Sequence, residues 1–448
     1  MAVASPPTFG NRFLEPDSAS ARLAARARRA LPGGNSRTTV FAAPYPFYAR
    51  SGRGARLTDV DGQTRLDFLN NYTALLHGHA YPAIVQAAQR QAALGSSFPA
   101  PTELEVELAE QICSRAPAIE QVRFTNSGTE AVMMAIKAAR AYTGRSMVAK
   151  FEGCYHGTYD PAEISVAPPL ASAGPADAPR SIPESAGLAA ETAEQVLVMP
   201  FNDRAAVARL VDGHADRLAA IIVDPLPHQA GFPPPKPGFL RFLRELADRH
   251  GIVLISDEII SFRTAYDGAH GRFGFRPHLV TLGKIIGGGF PVGAVGGSAE
   301  VMAVFDPSSG HPRVPHGGTF NANPVTMAAG LAALAAWTPQ EVDRLERLGE
   351  ELRRRCNELF AEADFPAQLN GQGSLFKLVP GRDEVVSYRS LPNDPAAAAR
   401  LGELHLRLLG AGIIVGPKGT GCLSTPMGAT EINEFVEALE RVIGEMRG

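Results

Sequence analysis

Cysteine is scarce in this chain and scattered. Cys113, Cys154, Cys356 and Cys422 are the only four in 448 residues, and no two make a C-x-x-C pair. That offers no disulfide framework and suits a reduced, cytoplasmic compartment. Long hydrophobic runs are missing too: no stretch reaches the roughly 18 apolar residues of a membrane span, so no membrane partner is expected. Charge of one sign is lacking. A net charge of −3 and an isoelectric point near 6.4 leave no broad basic field for nucleic acid. Internal repeats are absent. Lysine is sparse, confined to Lys137, Lys150, Lys236, Lys284, Lys377 and Lys418, while arginine carries almost all the remaining positive charge. What is present is the composition of an ordinary globular enzyme of two or three domains, 45% hydrophobic and 20% charged.

Among those few lysines, Lys284 alone follows a strand-like apolar run, Leu279-Val280-Thr281-Leu282, and precedes a glycine run, Gly287-Gly288-Gly289. A desolvated ammonium has a lowered pKa and becomes a usable amine nucleophile, able to form a Schiff base with a carbonyl cofactor. A lysine that snorkels from a strand end is the other reading of this segment. Its partners decide between them.

The first partner closes the run Gly251-Ile252-Val253-Leu254-Ile255-Ser256-Asp257-Glu258. A continuously apolar strand that stops at carboxylates reads as a buried parallel strand reaching the carboxyl edge of a sheet, where ligands gather. One carboxylate there, Asp257, would pair with the pyridinium nitrogen of pyridoxal phosphate and make the ring an electron sink. Loop capping is the alternative, and a metal site is not expected, because no His or Cys cluster lies nearby.

The second partner is Ser127-Gly128-Thr129, at the passage from the short strand ending in Phe124-Thr125 into the helical Val132 to Arg140. Unpaired amides and hydroxyls at a helix start bind phosphate, although the same residues also serve as plain N-caps. Neither the G-x-G-x-x-G nor the G-x-x-x-x-G-K-[ST] spacing occurs here, which excludes dinucleotide and P-loop readings.

With these residues in order, the chain resembles the class III aminotransferases, pyridoxal-phosphate enzymes of fold type I, within the group of β-amino-acid (β-phenylalanine-type) aminotransferases and glutamate-1-semialdehyde aminomutases. The resemblance runs from about Leu31 to the C-terminus through Leu31 to Arg37, Asp59 to Gly62, His77 to Pro82, Ala100 to Glu105, Val122 to Ala131, Phe151 to Gly157, Thr281 to Gly289 and Gly317 to Pro324. It implies an α/β fold, a mainly parallel sheet of the seven-stranded type with helices on both faces, plus a small α+β domain. It implies that Lys284 holds the cofactor and shuttles a proton, that Asp257 binds the pyridine nitrogen, and that Ser127, Gly128 and Thr129 hold the phosphate. Tyr155 would cover one ring face and Ile259, where the family usually has valine, the other; His156 would have a structural hydrogen-bonding role. Thr319 would reach the phosphate of the neighbouring subunit's cofactor, so the active sites would lie at a homodimer interface.

Apolar strand-like runs alternate with helical patterns through the middle of the chain, the signature of parallel β-α units. The expected organisation is an N-terminal helix and segment (1–75) contributing to the small domain, a large cofactor-binding domain (76–325) and a C-terminal α+β domain (326–448). Ser18 to Ala30 is expected as the N-terminal helix, with residues before about Phe13 disordered. Thr102 with Glu105, and Thr338 with Glu341, read as capping boxes. Pro161 to about Thr192, loaded with Pro, Ala, Ser and Gly, reads as a lid or a disordered insertion.

Two reactions compete on such a scaffold. The segments Gly33 to Phe41, Asn71 to Ala74 and Gly318 to Asn321 are more similar to the β-amino-acid enzymes. The expected activity is therefore transfer of an amino group from a β-amino acid or other non-α primary amine to a 2-oxo acid, by a ping-pong mechanism through the pyridoxamine form of the cofactor. Glutamate-1-semialdehyde 2,1-aminomutase is the alternative, and a non-catalytic amine sensor a remote one. Arg37 is the candidate for a substrate carboxylate, since a guanidinium binds one bidentately, with a surface salt bridge as the plainer role. Tyr72 joins it as a substrate-binding candidate. Lys418 stands where β-amino-acid aminotransferases tend to have an arginine for the oxo acid, and Asp224-Pro225 replaces the family's Glu-Pro.

Overall fold

The computed structural model describes residues 10–308 and 310–447. Its centre is a seven-stranded sheet made of β1 (Gln121–Thr125), β2 (Met147–Phe151), β3 (Val196–Met199), β4 (Leu218–Val223), β5 (Val253–Asp257), β6 (Leu279–Gly283) and β7 (Gly293–Gly297), in spatial order β1-β7-β6-β5-β4-β2-β3. The run from β6 to β3 is parallel, and β7 alone lies antiparallel to both its neighbours.

The parallel strands are buried at every position, and largely apolar, because both their faces are covered. Val148, Ala220, Ile222, Val253 and Ile255 pack under α1 (Gly128–Thr143), against Val132, Ala135, Ile136 and Ala139. The alternate residues Ala149, Ile221, Val223 and Leu254 meet Phe239, Leu243 and Leu246 of α2 (Phe239–His250) on the other face. Helices on both sides of a mainly parallel sheet give the α/β fold-type-I architecture.

Two smaller sheets flank this body. In one, Ala49–Arg53, Arg56–Asp59 and Thr64–Asp67 pair antiparallel, and Ile413–Ile414 joins them parallel, with Leu66 opposite Ile413. The other holds Ala367–Gln372, Leu375–Pro380 and Thr420–Cys422. Helices α3 (Pro324–Ala336), α4 (Pro339–Glu362) and α5 (Ala429–Arg447) complete the C-terminal part.

Several local expectations are modified. The N-terminal helix spans Ala19–Ala27 with Ser18 as its cap, whereas the expected disorder before Phe13 falls mostly on residues 1–9, outside the described residues. Thr102 precedes a helix without its side chain capping it, and Thr338 caps α4 through a single bond from Glu341 N. The 161–192 stretch is ordered, which removes the disordered-insertion reading: Ser165 N donates to Ile182 O at 2.7 Å, and Arg389 donates to the carbonyls of Ala173 at 3.1 Å and Gly174 at 2.8 Å. No helix among the described residues is long and apolar enough to cross a membrane.

Candidate active site

Because β5 and β6 are adjacent and parallel, their carboxyl ends deliver Asp257 and Lys284 to one cleft of about 350 Å³, whose walls also include Ser127, Gly128, Thr129, Tyr155, Asp224 and Ile259. Lys284 is the first residue past β6 and adopts a left-handed φ of 49°. Burial pulls its ammonium down to about 8, against the opposing pull of Asp257 and Asp224. Among the described residues its Nζ has no hydrogen-bond partner, which leaves the amine unspent on structure.

The two carboxylates after β5 separate cleanly. Asp257 Oδ1 accepts from Thr281 Oγ1 at 2.9 Å and Ile259 N at 3.2 Å, while Oδ2 lies 2.7 Å from His156 Nδ1. Glu258 turns away from the cleft, where Ala269 N, His270 N, His270 Nδ1 and Ser256 Oγ satisfy it. Burial lowers the affinity of His156 for a second proton, with Asp257 opposing. A neutral ring donating from Nδ1 to Asp257 agrees with the hydrogen-bonding role expected for it.

Ser127 caps α1, its Oγ accepting from Glu130 N at 3.2 Å. The backbone N–H groups of Gly128 and Thr129 have no partner among the described residues, leaving two donors and the positive helix end facing the cleft. Gly157 closes this corner with φ +86°; a Cβ there would stand 2.6 Å from Thr129 Oγ1 and 2.8 Å from Thr129 Cα. Orphaned donors at one end, a carboxylate at the other and a free amine between them fit pyridoxal phosphate. Tyr155 is 40% exposed on one wall, and Ile259 lies against Gly128 and Gly283 on another.

The remaining candidates lie further out. Arg37 Nη1 donates to Asn71 Oδ1 at 2.9 Å and its guanidinium sits 5.9 Å from the Tyr72 ring centre. Both line a second, mostly apolar cavity of about 590 Å³, which shares Asn71 and Gly289 with the lysine cleft. Thr319 is not brought to Lys284 of its own chain. It lines a separate cleft of about 280 Å³ with Gly318, Asn321 and residues 97–102. Lys418 is exposed and lines none of these three cavities.

Further residues lining this cleft include Asp224 and Asn71. Asp224 ends the all-apolar β4 just as Asp257 ends β5, so the same signal would have found it. Asn71 sits in a turn with no sequence signature. His228, outside the cleft lining, meets the Tyr155 ring edge-on, with centroids 6.1 Å apart.

A buried amine without a partner, a carboxylate and a helix start with orphaned donors, gathered at the edge of this sheet, are the arrangement expected of a pyridoxal-phosphate-dependent transferase of fold type I. The class-III aminotransferase family model matches residues 40–443, and the chain belongs to that family, whose cofactor is pyridoxal phosphate. It is similar to an omega-transaminase from Sphaerobacter thermophilus, with 53% identity, a TM-score of 0.95 and coverage of 98% of this chain and 100% of that one. A β-phenylalanine aminotransferase from Variovorax paradoxus shows 37% identity, a TM-score of 0.87 and coverage of 97% and 96%. A glutamate-1-semialdehyde 2,1-aminomutase of Ignicoccus hospitalis is 41% identical, over 93% of this chain and 97% of its own length.

Proposed function

We propose that this enzyme transfers an amino group from a non-α primary amine, such as a β-amino acid, to a 2-oxo acid. The bound cofactor supplies an electron sink that loosens the bonds at the amine-bearing carbon. Lys284 Nζ captures the cofactor and later moves a proton at the reacting carbon, and its depressed pKa supports that role. Asp257 faces the pyridine nitrogen, the start of α1 takes the phosphate, and Tyr155 and Ile259 flank the ring. Arg37 takes a substrate carboxylate. Lys418 remains the candidate for the oxo acid's carboxylate in the assembled enzyme. The active unit in this reading is a cytoplasmic homodimer, in which Thr319 serves the partner's cofactor.

The observation that carries transfer over isomerisation is the apolar cavity of about 590 Å³ beside Arg37, which suits a bulky substituent on the amine. The solved omega-transaminase, at 53% identity, supports the same direction. A second reading has its own support: the curated relatives, at up to 41% identity, carry the aminomutase name, and they favour that activity over a β-amino-acid donor. The two readings separate in one assay. Incubation with 3-amino-3-phenylpropanoate and either pyruvate or 2-oxoglutarate should yield the new amino acid. If only glutamate 1-semialdehyde is converted, to 5-aminolevulinate with no second substrate, the aminomutase reading replaces the proposal. Borohydride reduction of the holoprotein should leave a pyridoxyl adduct on the peptide containing Lys284.

A further inference from the structure

Lys150 occupies the fourth position of β2 and is 1% exposed. Among the described residues no carboxylate is hydrogen-bonded to it. Its ammonium instead donates to three main-chain carbonyls, those of Cys154 at 2.9 Å, Ala162 at 2.9 Å and Ile164. Burying a charge without a counter-charge is costly, and a methionine of similar length would fill the same space at no such cost. The three donors of an ammonium match three acceptors that the chain would otherwise leave unpaired.

Those acceptors are placed with a consequence. Cys154 immediately precedes Tyr155 and His156, and Ala162 and Ile164 lie where the chain returns. Lys150 therefore ties both ends of the excursion that carries the cleft-wall tyrosine and the histidine on Asp257. A second fastening comes from the C-terminal part: Arg389 binds Glu152 through two bonds at 2.6 and 2.8 Å, and the Tyr388 ring lies against Gly153. Neither fastening touches the cleft itself.

We infer that Lys150 is a positioning residue for the amino-transfer reaction, setting Tyr155 and His156 in place through the backbone of residues 153–165. The inference rests on the reading of Lys284 as the cofactor lysine. It is tested with the holoenzyme carrying Lys150→Met. Amide exchange should quicken over residues 153–165 and not in α1, the visible circular dichroism of the bound cofactor should weaken, and cofactor loss on dialysis should rise about tenfold. The kcat should fall at least tenfold while KM for the oxo acid stays within twofold. Lys150→Gln, which restores two donors without charge, should fall between Met and the wild type, and it takes over the test if the Met variant does not fold. An unaltered cofactor dichroism and a kcat within twofold of wild type would overturn the inference, whatever happens to thermal stability. Failure of the Lys284 reading shows separately, as absence of the borohydride adduct in the wild type, while the exchange pattern still reports on the loop.

Discussion

Replacing Gly157 with alanine tests the phosphate corner without substituting any proposed contact group. The φ of +86° costs an L-residue about 1–2 kcal/mol. The new Cβ would meet Thr129 at Oγ1, Cα and Cβ, at 2.6, 2.8 and 3.0 Å. Since one of these atoms is backbone, rotating a side chain gives no escape, and the first turn of α1 must retreat by something of the order of 1 Å to reach ordinary contact. Overpacking of this kind costs about 1–3 kcal/mol, so the apoprotein should lose about 2–5 kcal/mol in all. The same retreat carries the Thr129 N–H and hydroxyl away from the phosphate. Losing one hydrogen bond to a charged group, about 1.5–3 kcal/mol, lowers affinity for pyridoxal phosphate roughly 10- to 100-fold. Titrating apoenzyme with the cofactor, and in parallel with phosphate-free pyridoxal, provides the assay. Pyridoxal should be affected far less. A Kd for pyridoxal phosphate within twofold of wild type, or equal weakening of both ligands, would refute the reasoning.

Arg37→Ala should lower kcat/KM for carboxylated amines about 10- to 100-fold, the worth of one charge-assisted bond, and leave simple amines within a few-fold; equal losses would remove Arg37 from the substrate site. Burial holds Lys150 and Lys284 at about 8 and Lys377 at about 7, all below 10.5. The unfolded chain then binds more protons than the folded one, so apoprotein stability should rise from about pH 7 to 8, before unfolded thiols, with a pKa of about 8.5, ionise appreciably. Denaturant midpoints that stay flat or fall over that interval would contradict the burial of these groups. Thr73 is buried, has φ 71° and leaves its hydroxyl without a partner. Thr73→Gly should therefore be neutral or stabilising by up to about 2 kcal/mol, since strain and an orphaned hydroxyl are removed against a smaller loss of packing. A loss above about 2 kcal/mol in urea unfolding would mean that the hydroxyl has a partner.

The elements legible in the sequence are those whose signal is local. The five parallel strands appear as largely apolar runs because both faces are buried. Asp257 and Lys284 were legible for the same reason: a charge at the end of such a run has to lie at the sheet edge. Strand β7 escaped, since Gly-Ala-Val-Gly-Gly shows no strand propensity. It is glycine-rich because of tertiary crowding, with a Cβ at Gly293 falling 2.0 Å from Ser127 O. The N-terminal strands escaped as well, because they are completed by Ile413–Ile414 from more than 300 residues away. Nor does any pattern announce the turn Asn70-Asn71-Tyr72-Thr73, four successive residues with φ of 47, 49, 56 and 71°. Such strain persists only where the surroundings over-determine it. Here Asp67 Oδ1 takes the N–H groups of Leu69 and Asn70, Asn70 Nδ2 reaches Cys422 O, and Arg263 holds Thr73 O. Cys422 and Arg263 come from distant parts of the chain, and with Asp67 they aim Asn71 at the cleft and Tyr72 at Arg37.

Two carboxylates share the cleft with one lysine, and their surroundings push them apart. Among the described residues Asp257 receives three donors, whereas Asp224 receives only Leu226 N, at 2.9 Å. Burial, reinforced by the charge of Asp257, raises the Asp224 carboxyl well above the usual carboxylate range, and Leu226 and Lys284 offset that only in part. When two acids compete in one site, the less well solvated takes the proton. Asp224 then stands as a neutral, hydrogen-bonding wall beside Asp257, the residue proposed for the ring nitrogen. Asp224→Asn replaces one neutral group with another of the same shape and should change kcat/KM by less than about tenfold, a difference of about 1.4 kcal/mol. Asp257→Asn removes the charge and should cost about 2–5 kcal/mol, roughly 30- to 5000-fold. Steady-state rates and the visible absorbance of both variants provide the comparison. If Asp224→Asn is as damaging as Asp257→Asn, the anion is shared between them, and the family's longer Glu at this position would be expected to restore what the shorter Asp lacks.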